Sequence, residues 1–305
     1  MSIGEGAKLS PMEELGGRAA EAVLGRLFGV VVAVPDPEAT ARFLVEAIGF
    51  PRAERRGDAI AVDCAGDYGP RGQTAIALVA GEALELQRVV WEVADGCDLD
   101  ALAARLAAAG TGVEPTDGGG LAFADPAGNR LALERSAALA VTTPDGAQVG
   151  PRRLGHLNLK APAPPATAAF YRELLGMRLS EQIGDGLWFL RIGSEHHNLG
   201  LRPGARGELH HLGLEVAGWH AYAPILDRLA ALDLKVEYGP GRHGPGRNIF
   251  TYVCDPSSGL RVELFADMAQ IPDETTYVPP RWEAGDRMTK TINRWGPTPP
   301  ESFLA

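Results

Sequence analysis

The first half of this chain contains no histidine. All seven lie between His156 and His243, so chemistry that needs an imidazole is expected in the second half. Cysteine is scarce too: Cys64, Cys97 and Cys254 are an odd set with no close spacing. That argues against a disulfide framework and a zinc ribbon, and a reducing cytoplasm is the expected compartment. None of the three has a base beside it in a motif, so no cysteine nucleophile is expected. No apolar run reaches the roughly 18 residues of a membrane span, and the N-terminus has no basic-then-apolar leader pattern. Positive charge is outweighed, 29 Lys and Arg against 39 Asp and Glu, for a net charge of −10. A nucleic-acid partner is therefore not expected, and the dispersed acidity reads as solvated surface. The glycines at 118–120 have no Lys-Ser/Thr after them and read as a turn, not a phosphate loop.

What the chain does have is an internal repeat. RLFGVVVAVPDPEATARFLVEAIG (26–49) aligns with RLGHLNLKAPAPPATAAFYRELLG (153–176) at a constant offset of 127. Arg26, Thr40, Phe43 and Gly49 match Arg153, Thr167, Phe170 and Gly176. LQRVVWEVAD (86–95) matches LHHLGLEVAG (209–218), and FADPAGNRLAL (123–133) matches VCDPSSGLRVEL (253–264). Two homologous units are predicted, 25–137 and 152–268, joined by a linker over 138–151. An N-terminal extension (1–24) carries SPME (10–13), a capping-box start for a short helix. A Pro- and Trp-rich tail (269–305) is expected to pack over a surface or a neighbouring subunit.

Within the second unit, 154–161 alternates as a strand and 165–175 reads as a helix, with Pro165 in its first turn and Gly176 after its end. Strands are expected near 177–182, 187–192 and 196–202. LHHLGLEVA then restarts the cycle, followed by a helix over 222–232 and strands near 235–238, 249–254 and 260–265. The predicted class is α+β, with two βαβββ modules per unit forming an open, barrel-like sheet.

Side chains alternate between the two faces of a strand. Leu157 and Leu159, Leu212 and Leu214, and Val262 and Leu264 mark the apolar faces. His156, His211 and Glu263 fall on the opposite, polar faces, and His210 falls on the apolar side as a packed or hydrogen-bonded strand residue. Two imidazoles and a carboxylate are the donors of a facial triad that leaves one side of a metal open for substrate and O₂. One carboxylate against a divalent ion leaves a net +1, which a singly deprotonated catechol neutralises. Zinc accepts the same donors. Three buried polar strand residues satisfied by hydrogen bonds are the bland alternative; three at matching positions favour metal.

GHLNL, LHHLGLEV, GPGRHGPGRNIFTYVCDP and GLRVELF together resemble the signature segments of the type I extradiol ring-cleavage dioxygenases. These belong to the vicinal oxygen chelate superfamily, and catechol 2,3-dioxygenase and dihydroxybiphenyl dioxygenase are examples. The resemblance runs over nearly the whole chain and is most specific from 153 to 265. It implies Fe(II), or Mn(II), on His156, His211 and Glu263, with O₂ as co-substrate, a catechol as substrate and a homo-oligomeric assembly. It further implies His197, beginning a strand, as acid/base, with His196 as the alternative. Tyr252 would hydrogen-bond a catecholate oxygen, with His243 beside it. Arg247 is either a solvated loop charge or a substrate-carboxylate contact, and His220 is expected to be exposed. Pocket width is expected to depend on Trp188, Phe250 and residues 282–295. The first unit has Gly29, Arg88 and Ala132 at the triad positions, so no catalytic metal is expected there. Two other readings keep the fold: a glyoxalase-type isomerase or lyase, which needs a fourth protein ligand near His197, and a non-enzymatic binding protein.

Overall fold

The computed structural model describes residues 22–64, 75–135, 149–283 and 291–304. The helix expected at 10–13 and the linker residues 138–148 lie outside them. The first unit contains β1 (Leu24–Val34), α1 (Pro37–Arg42), β2 (Arg52–Arg56), β3 (Ala59–Asp63), β4 (Ile76–Ala80), β5 (Glu85–Val93), α2 (Leu99–Ala108), β6 (Val113–Pro115), β7 (Leu121–Ala124) and β8 (Arg130–Glu134). The second contains β9 (Arg153–Ala161), α3 (Pro164–Glu173), β10 (Arg178–Ile183), β11 (Leu187–Arg191), β12 (Leu199–Pro203), β13 (Glu208–Glu215), α4 (Tyr222–Ala231), β14 (Tyr238–Arg242), β15 (Ile249–Cys254) and β16 (Arg261–Ala266). The tail adds β17 (Arg281–Trp282) and a short α5 (Glu301–Leu304). Each unit is βαβββ twice over. Among the described residues no helix is long and apolar enough to cross a membrane.

Two sheets result, ordered β2-β3-β4-β1-β5-β8-β7-β6 and β14-β15-β16-β13-β9-β12-β11-β10-β17. Neither closes on itself, since the end strands of each do not pair with one another. In the second sheet the opening strands of the two modules, β9 and β13, pair antiparallel at the centre, and each is flanked by its own module's last strand in parallel. This pseudo-twofold arrangement brings residues far apart in sequence onto one concave face.

The period-two pattern explains why that face is polar. Leu157, Leu159, Leu199, Leu201, Leu212, Leu214, Val262 and Leu264 are all fully buried. They pack in the core cluster that also takes in Tyr222, Ile225 and Leu229 of α4. Burying a side chain of this size is worth about 1.5–3 kcal/mol, so register is strongly held: a one-residue slip would turn the leucines out and the histidines in. Helices α1 and α3 start with proline in the first turn, and the chain after them turns through left-handed Gly49 and Gly176.

The two units are tied by reciprocal bonds. Thr40 of α1 donates to Asp255 in the β15–β16 turn at 2.6 Å, and Tyr171 of α3 donates to Asp125 in the β7–β8 turn at 3.0 Å. Each copy's first helix thus holds the Asp-Pro turn of the other. Where residues 235–238 read as a strand, the ladder instead runs over Tyr238–Arg242, paired with β15.

Candidate metal centre

His156 comes from β9, His211 from β13 and Glu263 from β16, so three of the four central strands contribute one side chain each. One ligand atom from each lies within 4.8 Å of the others, and all three residues are buried. His156 Nε2 and His211 Nε2 stand 3.1 and 3.2 Å from the same oxygen, Glu263 Oε2. Three buried donors that converge on one point are the arrangement a divalent ion needs. The backbone helps. A Cβ on Gly213 would lie 2.1 Å from the His156 ring, so only glycine leaves the imidazole its place.

The carboxylate is held on both oxygens. Tyr252 Oη donates to Oε2 at 2.8 Å and Asn248 Nδ2 to Oε1 at 2.8 Å. Burial pushes the Glu263 carboxyl up, but the attraction of His156 and the hydrogen bonds from His156, His211 and His243 outweigh it and hold it well below its ordinary range. Burial lowers His211 to about 4, against the opposing pull of Glu263. Burial and then the charge of Glu263 push the Tyr252 phenol well up, so it stays a donor.

Around these residues opens a pocket of about 600 Å³, its mouth included. His197, His243 and Tyr252 line it together with His211 and Glu263. The His197 ring sits 4.6 Å from that of His156, and burial, then the neighbouring His156 and His196, drive it well toward the neutral form. His243 Nε2 is 3.0 Å from Tyr252 Oη, and the His243 ring stacks on Phe250 at 3.9 Å. His196 does not line the pocket; it turns toward Glu181, 3.3 Å away.

Several expectations need correction. His197 does not begin a strand: β12 starts at Leu199, and His197 lies in the loop before it. His210 is not on the helix-facing side with Leu212. A register shift between Leu209 and His211 turns it toward Arg202 and Phe303, both of which line the pocket. Trp188 and Phe250 do not line the pocket either; its apolar wall is Ile183, Leu187, Phe189, Ile292, Phe303 and Leu304. Of residues 282–295, Thr291 and Ile292 reach the wall, and 284–290 lie outside the described residues. Arg247 is exposed, away from the lining; His220 is exposed, as expected.

The position symmetric to Glu263 lies three residues after His197, on β12. His156 and His211 are equivalent in the two modules; Glu263 pairs with Gly213, two residues past His211, and Gly200 pairs with Asn158, two residues past His156. The fourth corner is therefore Gly200. In the first unit the same corners hold Gly29, Arg88 and Ala132, with Val90 paired to Ala132 in the same register. The one group of potential metal donors among the described residues is the triad in the second unit.

The two tandem units have the vicinal-oxygen-chelate type of fold. Residues 153–264, within the second unit, match the Glyoxalase/Bleomycin resistance protein/Dioxygenase superfamily. The chain is 36% identical over 183 residues to metapyrocatechase 2 of Cupriavidus necator, across 59% of this chain and 52%, about half, of that protein's length. It is 25% identical over 287 residues to the manganese-dependent 2,3-dihydroxybiphenyl 1,2-dioxygenase of Geobacillus genomosp. 3, across 83% and 87% of the two chains. The structure of the Mn(II)-bound glyoxalase from Novosphingobium aromaticivorans superposes with a TM-score of 0.81 at 23% identity, covering 92% of this chain and 94% of that one. That likeness bears on the fold.

Proposed function

We propose that this protein is an extradiol dioxygenase that opens the ring of a catechol with O₂, giving a 2-hydroxymuconic-semialdehyde type product. The observation that carries this reading is the corner occupied by Gly200. Three protein donors with a glycine in the fourth place leave one side of an ion free for a bidentate substrate and O₂. Of the named sequence relatives, one is called a metapyrocatechase and the other a 2,3-dihydroxybiphenyl 1,2-dioxygenase, which supports the reading.

In this reading His156, His211 and Glu263 hold Fe(II) or Mn(II), and the donor set accepts either. The ion supplies Lewis acidity and a path for charge between substrate and O₂. The remaining roles belong to the chain. Tyr252, kept protonated by burial, donates to a substrate oxygen. His197, kept neutral, takes the proton of a substrate hydroxyl and later returns it. His243 faces the substrate from beside Tyr252. Ile183, Leu187, Phe189 and Ile292 exclude water and seat the ring. The units span 25–137 and 152–268 about a 138–151 linker, with extensions at 1–24 and 269–305. A homo-oligomer in the cytoplasm completes the proposal, and free cysteines suit that compartment.

The test is anaerobic reconstitution with Fe(II) or Mn(II), then addition of air and a panel of mono- and bicyclic catechols. A yellow product formed with one O₂ consumed per catechol is expected. Absence of turnover across the panel with either metal would sink the proposal. Conversion of a 2-oxoaldehyde–thiol adduct without O₂ uptake would instead support a glyoxalase-type activity.

A further inference from the structure

His210 sits at the junction between the triad and the C-terminal segment. Its Nδ1 lies 2.7 Å from Nδ1 of His211, and both rings are buried. Its other nitrogen, Nε2, has two neighbours of opposite character. The carbonyl oxygen of Phe303 is 2.9 Å away and can only accept; the Arg202 guanidinium is in contact and can only donate. The carbonyl is fixed in place, because Arg261 donates to Ser302 O at 2.9 Å and to His210 O at 3.3 Å, and the Phe303 ring packs on Tyr252 and His210.

A neutral imidazole carries one proton on one nitrogen. Between two facing Nδ1 atoms there is room for a single proton, so the tautomers of His210 and His211 are locked together. With His211 Nε2 protonated toward Glu263 Oε2, 3.2 Å away, its Nδ1 must accept. His210 then donates from Nδ1 and accepts at Nε2 from Arg202. With His211 Nε2 bare for a metal, its Nδ1 must donate. His210 then accepts at Nδ1 and donates from Nε2 to Phe303 O. Both patterns leave the two histidines satisfied, and no net proton is gained or lost between them.

We infer that His210 is a positioning residue, a tautomer relay through which the C-terminal segment prepares His211 to bind metal. This rests on the metal reading of the triad. It assigns a role to the backbone of Phe303, in the C-terminal segment that follows the strands carrying the ligands. Partners of ligating histidines commonly account for 10–100-fold in metal affinity.

The experiment uses the full chain with ¹⁵N-labelled histidine and Zn(II) as a diamagnetic probe. Long-range ¹H–¹⁵N spectra report which ring nitrogen is protonated. In the metal-free protein His210 is expected to be protonated on Nδ1, and with Zn(II) on Nε2. The same His210 tautomer in both states would overturn the relay. In parallel, H210F is expected to bind Zn(II) and Mn(II) at least tenfold more weakly, while H210N, which keeps an acceptor for His211 Nδ1–H, stays within about threefold of wild type. Wild-type affinity in H210F would also overturn it. Failure of the wild-type protein to bind either ion would instead remove the triad reading beneath it.

Discussion

Gly213 presses its bare Cα against the imidazole of His156: a Cβ there would lie 2.1 Å from Cε1 and 2.4 Å from Nε2. The ring has little room to retreat, with Phe265 at 4.8 Å and His197 at 4.6 Å between ring centres. Overpacking of this kind costs about 1–3 kcal/mol, and here the strain falls on a proposed ligand. Gly213→Ala is expected to lower Mn(II) affinity at least tenfold by titration calorimetry, with the far-UV circular dichroism unchanged. Undiminished affinity would mean that His156 can bind from a displaced position.

Gly200 and Glu263 occupy matching corners of the two modules, and only one of them is a donor. Adding the missing carboxylate tests whether the open side matters. A Cβ on Gly200 would meet Asn158 Nδ2 at 2.3 Å, so Gly200→Glu should be made together with Asn158→Ala. The double variant is expected to keep its metal while O₂-dependent turnover falls at least 100-fold, a drop of about 2.7 kcal/mol in transition-state stabilisation. The fourth carboxylate would take the substrate's place and cancel the remaining positive charge. Full turnover in that variant would contradict the argument from the glycine corner.

The triad could be read from sequence because a strand has a period of two and its leucines announce which side is buried. His156, His211 and Glu263 needed nothing more. The duplication fixed the two-unit plan in the same way, through pairs such as Thr40 and Thr167. The placement of His210 could not be read, because the register shift beside it breaks the alternation that put it with Leu212. Nor could the pocket wall. Ile183, Leu187, Ile292 and Phe303 meet across more than 100 residues of chain, and no local pattern marks a contact of that range. The Gly200 corner lay between these cases: it needed the ladder register of two strand pairs.

His197 and His196 are neighbours with different surroundings, and kinetics should separate them. His197 lines the pocket against the triad, whereas His196 stands behind it with its Nδ1 3.0 Å from that of His197. A positioned acid/base contributes about 10²–10⁴-fold. His197→Asn is expected to lose kcat in that range with metal content unchanged. His196→Gln is expected to lose less than about tenfold, as expected for a supporting hydrogen-bond partner. Equal losses in the two variants would show that the pair works as one unit.

Acid should destabilise the metal-free protein before its carboxylates are reached. The folded His211 titrates at about 4, pushed down by burial from an ordinary value of 6.5. Between those values the unfolded chain holds a proton that the folded chain refuses, so stability is full above pH 6.5 and falls as pH drops toward 4. The slope for one such group is about 1.4 kcal/mol per pH unit. His197 and His210, lowered chiefly by burial, act in the same direction. Glu263, held below its ordinary 4.5, extends the loss at more acid pH. Urea midpoints measured with chelator present should therefore fall steadily from pH 7 to pH 5. His211→Gln should remove one histidine's share of that slope. A flat profile in the wild-type protein would mean that these imidazoles protonate freely in the fold, and the picture of buried imidazoles held neutral would have to be given up.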